Sequence, residues 1–225
     1  MNDRAPALLT WRTAVEAAVT GLVTTALALL VFAPIWSALA YPLATGDMYP
    51  TYVNALSFGG LAYPSTTHFG FPLGMDLDYT PGLDITQNAF AHVVDVLAGS
   101  PFAGINLLLL VSFPLVAVLA YLLLRLLGAA GPLAIALAAA YATIPFHFGR
   151  GLGHTYLATT YSAVTALAIA VVIGLGLVPR IAHDPRRSHR VAGWIMLASL
   201  VLVTAWSGLY YAAFAVILGA ASVVW

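Results

Sequence analysis

Cysteine and lysine are both absent from this 225-residue chain, and charged side chains make up only 7% of it. Without cysteine there is no disulfide, no thiolate metal site and no thiol nucleophile. Eight arginines balance eight acidic residues at a formal net charge of zero, so no basic face is available for nucleic acid. Chemistry must therefore come from Asp, His, Arg, Tyr or Ser. What fills the sequence instead is apolar: 62% hydrophobic residues and a mean hydropathy of +0.96. An ordinary soluble domain is about 45–50% apolar. At about 20 apolar residues per helical crossing, the composition predicts an all-α integral membrane protein with about six transmembrane helices.

The expected spans run from Ala14 to Ala40, Pro101 to Leu127, Gly131 to Pro145, Thr155 to Val178, Val191 to Trp206 and Leu209 to Trp225. Ala38-Leu39-Ala40 mimics a signal cleavage site. The apolar core before it is far longer than the roughly 7 to 15 residues of a signal peptide, so it is expected to stay as the first span. Ser100-Pro101 and Gly131-Pro132 are helix starts, because proline in a first turn gives up an amide that had no helical partner. Pro34 and Pro114 are expected to kink the spans that hold them. Ser207-Gly208 divides the last two spans, since one continuous helix would overshoot a hydrocarbon core of about 30 Å. Residues 1–225 are read as a single transmembrane domain, with 41–100 as a long extracytoplasmic loop.

With the N-terminus in the cytoplasm of a multi-pass plasma-membrane protein, Arg4, Arg12, Arg125, Arg180, Arg186, Arg187 and Arg190 all fall inside. Arg150 alone lies outside, beside His147 and His154. The acids divide the other way: Asp47, Asp76, Asp78, Asp84 and Asp95 all sit in the loop from Tyr41 to Ser100. That loop is rich in aromatics and punctuated by Gly and Pro, which suggests a folded cap lying on the membrane. Two short interfacial helices are expected in it. One runs from Met48 to Phe58, and the other from Ile85 to Ala98 between an Asp84 and Gln87 capping box and a Gly99 stop.

Asp47 has two readings. It caps the Met48 to Phe58 helix, or it serves as a general base held at the membrane surface. The glycine-spaced segment from His147 to His154 suits a phosphate: Arg150 offers a planar fork of donors, the glycines let amides approach, and a helix N-terminus follows. The other reading is an arginine snorkelling to headgroups beside histidines in a wet loop. Asp76 and Asp78, with His68, His147 or His154, are weak candidates for a divalent metal; no other cofactor is expected. Glu16 and Asn106 lie near span ends and are read as structural.

Taken together, Thr45-Gly46-Asp47 after the first span, the juxtamembrane helix and the long first outer loop resemble the N-terminal portion of GT-C-type glycosyltransferases. The segments Gly70-Phe71-Pro72-Leu73-Gly74-Met75-Asp76, Pro81-Gly82-Leu83-Asp84 and Pro145-Phe146-His147-Phe148-Gly149-Arg150, with His154, are similar to bacterial multispanning members of that class. The resemblance implies transfer of a sugar from a polyprenyl-phosphate donor to an acceptor hydroxyl on the outer face, with inversion. It implies Asp47 as base and Arg150, with His154 or His147, neutralising the leaving phosphate. It also implies that aromatics of the loop, Tyr52 among them, pack on sugar and isoprenoid. Such enzymes carry more spans than this chain, so a truncated form is expected, and a paired second acid beside Asp47 is missing. Two other readings stand beside this one: a non-catalytic membrane subunit or remnant, and a transporter module. Against the transporter stand the lack of acids within the spans, Glu16 apart, and of an inverted repeat.

Overall fold

The computed structural model describes residues 10–43, 65–66, 75–76, 85–151 and 154–224. Their regular structure is helical except for one short antiparallel pairing of Ser65–Thr66 (β1) with Met75–Asp76 (β2), in which Ser65 pairs with Asp76. The helices are α1 (Trp11–Val31), a 3-10 turn (Ala33–Ala38), α2 (Ile85–Ala98), α3 (Ala103–Leu126), α4 (Gly131–Ala142) and α5 (Pro145–Gly151), followed by α6 (Thr155–Ala158), α7 (Tyr161–Gly174), α8 (Leu177–Ala182), α9 (Arg187–Trp206) and α10 (Leu209–Val224). Among the described residues, four stretches are long and apolar enough to cross a membrane: α1, α3, the α4–α5 run Gly131–Gly151, and α9. The α7 and α10 helices are apolar but shorter.

Contacts divide the chain into two units, Met1–Thr80 with Gln87–Tyr161, and Pro81–Thr86 with Ser162–Trp225. In the first unit α1 and α4 run parallel and α3 runs against them. The pairs that fix this are Glu16 with Tyr121 and Gly131 at one end, and Phe32 with Phe113 and Phe148 at the other. The interior face of α1 is made of small and hydroxylated residues, Thr13, Thr20, Gly21, Thr24 and Ala28. Their hydroxyls are satisfied by their own helix: Thr20 donates to the Glu16 carbonyl at 2.7 Å and Thr24 to the Thr20 carbonyl at 2.9 Å. Gly21 lets α3 approach, since a Cβ there would stand 3.3 Å from Val118. The large apolar residues Val15, Val19, Leu22, Leu27 and Leu30 point outward. This inversion of the soluble pattern is what a lipid environment selects.

The first helix ends at Val31 rather than running on to Ala40. Pro34 cannot supply an α-helical amide, and the chain tightens into a 3-10 turn that takes the proline in its own first turn. Pro114, by contrast, lies inside an unbroken 24-residue α3. The expected Thr155 to Val178 span is divided, with breaks at 159–160 and at Leu175-Gly176, where Gly176 adopts φ 61°. That conformation ends a helix and favours glycine.

In the second unit, Thr204 donates to the Thr165 hydroxyl at 2.8 Å, joining α9 to α7. Gly208, at φ 97°, turns the chain from α9 into α10 at the expected break. A cavity of about 440 Å³ lies among α7, α9 and α10, lined by Ile169, Ile173, Val201, Ala212, Ala215 and Gly219 among others, with no charged residue in its wall.

Candidate functional site

Titratable chemistry in the first unit gathers at the two ends of the three-helix packing. At the end formed by the start of α1, Glu16 accepts from Arg12 Nε at 2.9 Å and from the Tyr121 hydroxyl at 2.6 Å, with Arg125 Nε 3.9 Å away. Arg125 also donates to the Ala129 carbonyl at 2.8 Å. The Glu16 carboxylate lies against Gly131, where a Cβ would collide with it. Both arginines and the acid are consumed by the fold, which is the structural role expected for Glu16.

At the other end, the chain leaving the first span is clamped. Asn106 Nδ2 donates to the carbonyls of Leu39 at 2.8 Å and Tyr41 at 2.9 Å, and Ser100 Oγ donates to Ala40 at 2.9 Å. Three consecutive carbonyls are thus held by the segment that opens α3, and Asn106 is structural, as expected. Asp95, near the end of α2, accepts from the Gly104 amide at 2.7 Å and so covers the start of α3. Burial pushes its carboxyl above the usual aspartate range, against the lowering effects of the Gly104 bond and of His92.

The α5 helix packs on the same end. Phe148 lies between Phe113, at a ring distance of 4.7 Å, and Phe32, at 5.8 Å, while Ile35 and Leu39 close the cluster. Gly151 meets Leu109 so closely that a Cβ would stand 2.5 Å from its methyl. His147 is turned inward: it is 1% exposed and stacked on Phe113 at 3.8 Å with planes 7° apart. Its Nδ1 lies 2.8 Å from the Ala142 carbonyl, which can only accept, so Nδ1 carries a proton. Its Nε2 lies 2.7 Å from Ser112 Oγ on α3, and that oxygen is also 2.6 Å from the Leu109 carbonyl. His147 therefore ties α5 to both α3 and α4. Nothing in the spacing of His147, Arg150 and His154 along the sequence distinguished the inward ring.

Arg150, one turn later, is exposed, and its guanidinium makes no hydrogen bond or ion pair with any described residue. His154 follows, partly buried, at the start of α6. The structure brings His147, Arg150 and His154 to the end of the unit where the chain leaves the first helix. Asp47, Tyr52 and Asp78 lie outside the described residues, as does His68. Asp76 is placed in β2. Among the described residues no group of three or more His, Asp or Glu is close enough to hold a metal ion. The residues that sequence reasoning missed at this end are Ser100 and Ser112; each owes its role to a partner far along the chain.

Comparison with family models, with curated proteins and with solved structures gave no match.

Proposed function

We propose that this chain is a membrane glycosyltransferase of GT-C type that takes a sugar from a polyprenyl-phosphate donor and passes it to an acceptor hydroxyl on the outer face. The observation that carries the reading is the state of Arg150. Arg150 is exposed and has no partner among the described residues, whereas the other arginines of this unit's packed ends are engaged by Glu16. A planar fork of donors with no partner among the described residues matches a phosphate. The same end holds the clamped stem that leads to Asp47.

In this reading Asp47 removes the proton from the acceptor hydroxyl, and the oxygen attacks the anomeric carbon from the face opposite the lipid phosphate. The carbon–phosphate-oxygen bond breaks, the phosphate leaves with both electrons, and the configuration inverts. Arg150 neutralises the charge that grows on the leaving phosphate, with His154 beside it, an electrostatic contribution already in place before the reaction. His147 acts one step back, holding α5 so that Arg150 faces outward. Tyr52 and neighbouring aromatics supply apolar faces for sugar and isoprenoid. The orientation is N-terminus inside, and the membrane is the plasma membrane.

Asp47→Asn tests the reading. Asparagine caps a helix about as well as aspartate but takes no proton, so insertion and folding should be kept. Transfer of labelled sugar from a polyprenyl-phosphate donor should fall by about 10² to 10⁴. Full transfer by Asp47→Asn overturns the assignment.

A further inference from the structure

The α2 helix carries its polar side chains inward and its apolar ones outward. Gln87 and Asn88 are buried, with Ala91 on the same side, whereas Val93, Val96 and Leu97 are 47%, 68% and 82% exposed. Their spacing of three and four puts the last three on one stripe. A helix on a soluble protein does the reverse. The α1 helix shows the same inversion, and α1 is long and apolar enough to cross a membrane. In this chain, then, an outward apolar stripe is found on a helix long and apolar enough to cross a membrane.

Two bonds fix α2 at the boundary of the spans. Asp95 takes the Gly104 amide at the second residue of α3, and the Ser100 hydroxyl takes the Ala40 carbonyl at the exit of the first span. Gly104 itself lies against the Ala91 backbone with no room for a side chain. At 1.5 Å per residue a helix of this length reaches about 21 Å, too short for a hydrocarbon core of about 30 Å.

We propose that the stripe of Val93, Val96 and Leu97 seats α2 in the interfacial layer of the lipid bilayer, with its polar edge against the start of α3. A second copy of the chain does not fit the face, because a stable protein interface engages about 20–30 residues a side and the stripe offers three side chains. A lipid surface sets no such minimum. The inference rests on the membrane character of the helices and not on glycosyl transfer, so failure of the Asp47 or Arg150 experiments leaves it standing.

Because the chain has no cysteine, a single introduced one labels uniquely. Leu97→Cys, carrying an environment-sensitive NBD fluorophore, is placed in the full chain and reconstituted in phosphatidylcholine vesicles. Its emission should be blue-shifted relative to the same probe at Arg186→Cys, and nitroxide lipids labelled near the headgroup should quench it about twofold, as for a face sunk about 5–10 Å into the boundary. Val96→Cys should behave alike, and it decides the matter if the Leu97 variant fails to fold. Water-like emission at both positions overturns the proposal. So does blue-shifted emission that nitroxide lipids leave unquenched, which would mean that protein covers the stripe.

Discussion

The two ends of the α1, α3 and α4 packing treat arginine in opposite ways. At one end Arg12 and Arg125 converge on Glu16, which also takes the Tyr121 hydroxyl, and the cluster closes over Gly131. At the other end Arg150 stands exposed without a partner among the described residues, on a short helix locked from behind by His147, Ser112 and Phe113. The first arrangement is what folding needs, since ionic groups at a membrane boundary are stabilised when paired. The second packs a short helix beneath a cation that no described residue pairs with. On the proposed function, the difference separates a structural charge from one kept for a ligand.

The largest way to break the comparison is topological. If the ends lie on opposite sides of the membrane, a reporter fused after Gly151 should read extracytoplasmic and one after Gly128 cytoplasmic, as the positive-inside rule requires. The opposite readout at either position dissolves the contrast. The next effect sharpens the site end alone. Asn106→Leu leaves the Leu39 and Tyr41 carbonyls without their donor, and an unsatisfied buried acceptor costs about 1–3 kcal/mol. The unfolding temperature in detergent should fall accordingly. The smallest effect concerns Asp95, whose carboxyl burial raises above its ordinary value of 3.8. A group with a raised folded value takes up protons first in the folded state. Its contribution to stability is complete below 3.8 and is lost as pH rises through the raised value. Asp95→Asn should remove that acid-side slope from a series of unfolding temperatures.

Several local signals set by single residues were legible. The Ile85–Ala98 helix, its Gly99 stop at φ 65°, the Gly131 start and the Gly208 turn all follow from residue types at single positions. The breaks inside the Thr155 to Val178 run did not show, because a uniformly apolar stretch has no polar face whose period would reveal an interruption. Proline misled once: Pro34 sits in the 3-10 turn where the helix stops, and a kink within a longer span was expected there. At the site, the inward turn of His147 depends on Ser112, 35 residues away, and the Asn106 clamp on carbonyls 65 and 67 residues away. Such pairings are set by packing and leave no mark in sequence spacing. That Glu16 and Asn106 are structural was legible, since both lie near span ends where partners can reach them.

The account turns on Arg150 being held for an anion while Arg125 is not. The direct measurement is binding of a polyprenyl phosphate to the chain in lipid nanodiscs, comparing wild type, Arg150→Gln and Arg125→Gln at equal folded fraction. A charge-assisted hydrogen bond contributes about 1.5–3 kcal/mol, so Arg150→Gln should weaken binding at least about tenfold, with Arg150→Lys recovering only part of it, because an ammonium cannot use two donors in one plane. Arg125→Gln should bind as wild type does. Wild-type affinity in Arg150→Gln, or an equal loss in Arg125→Gln, would contradict the account.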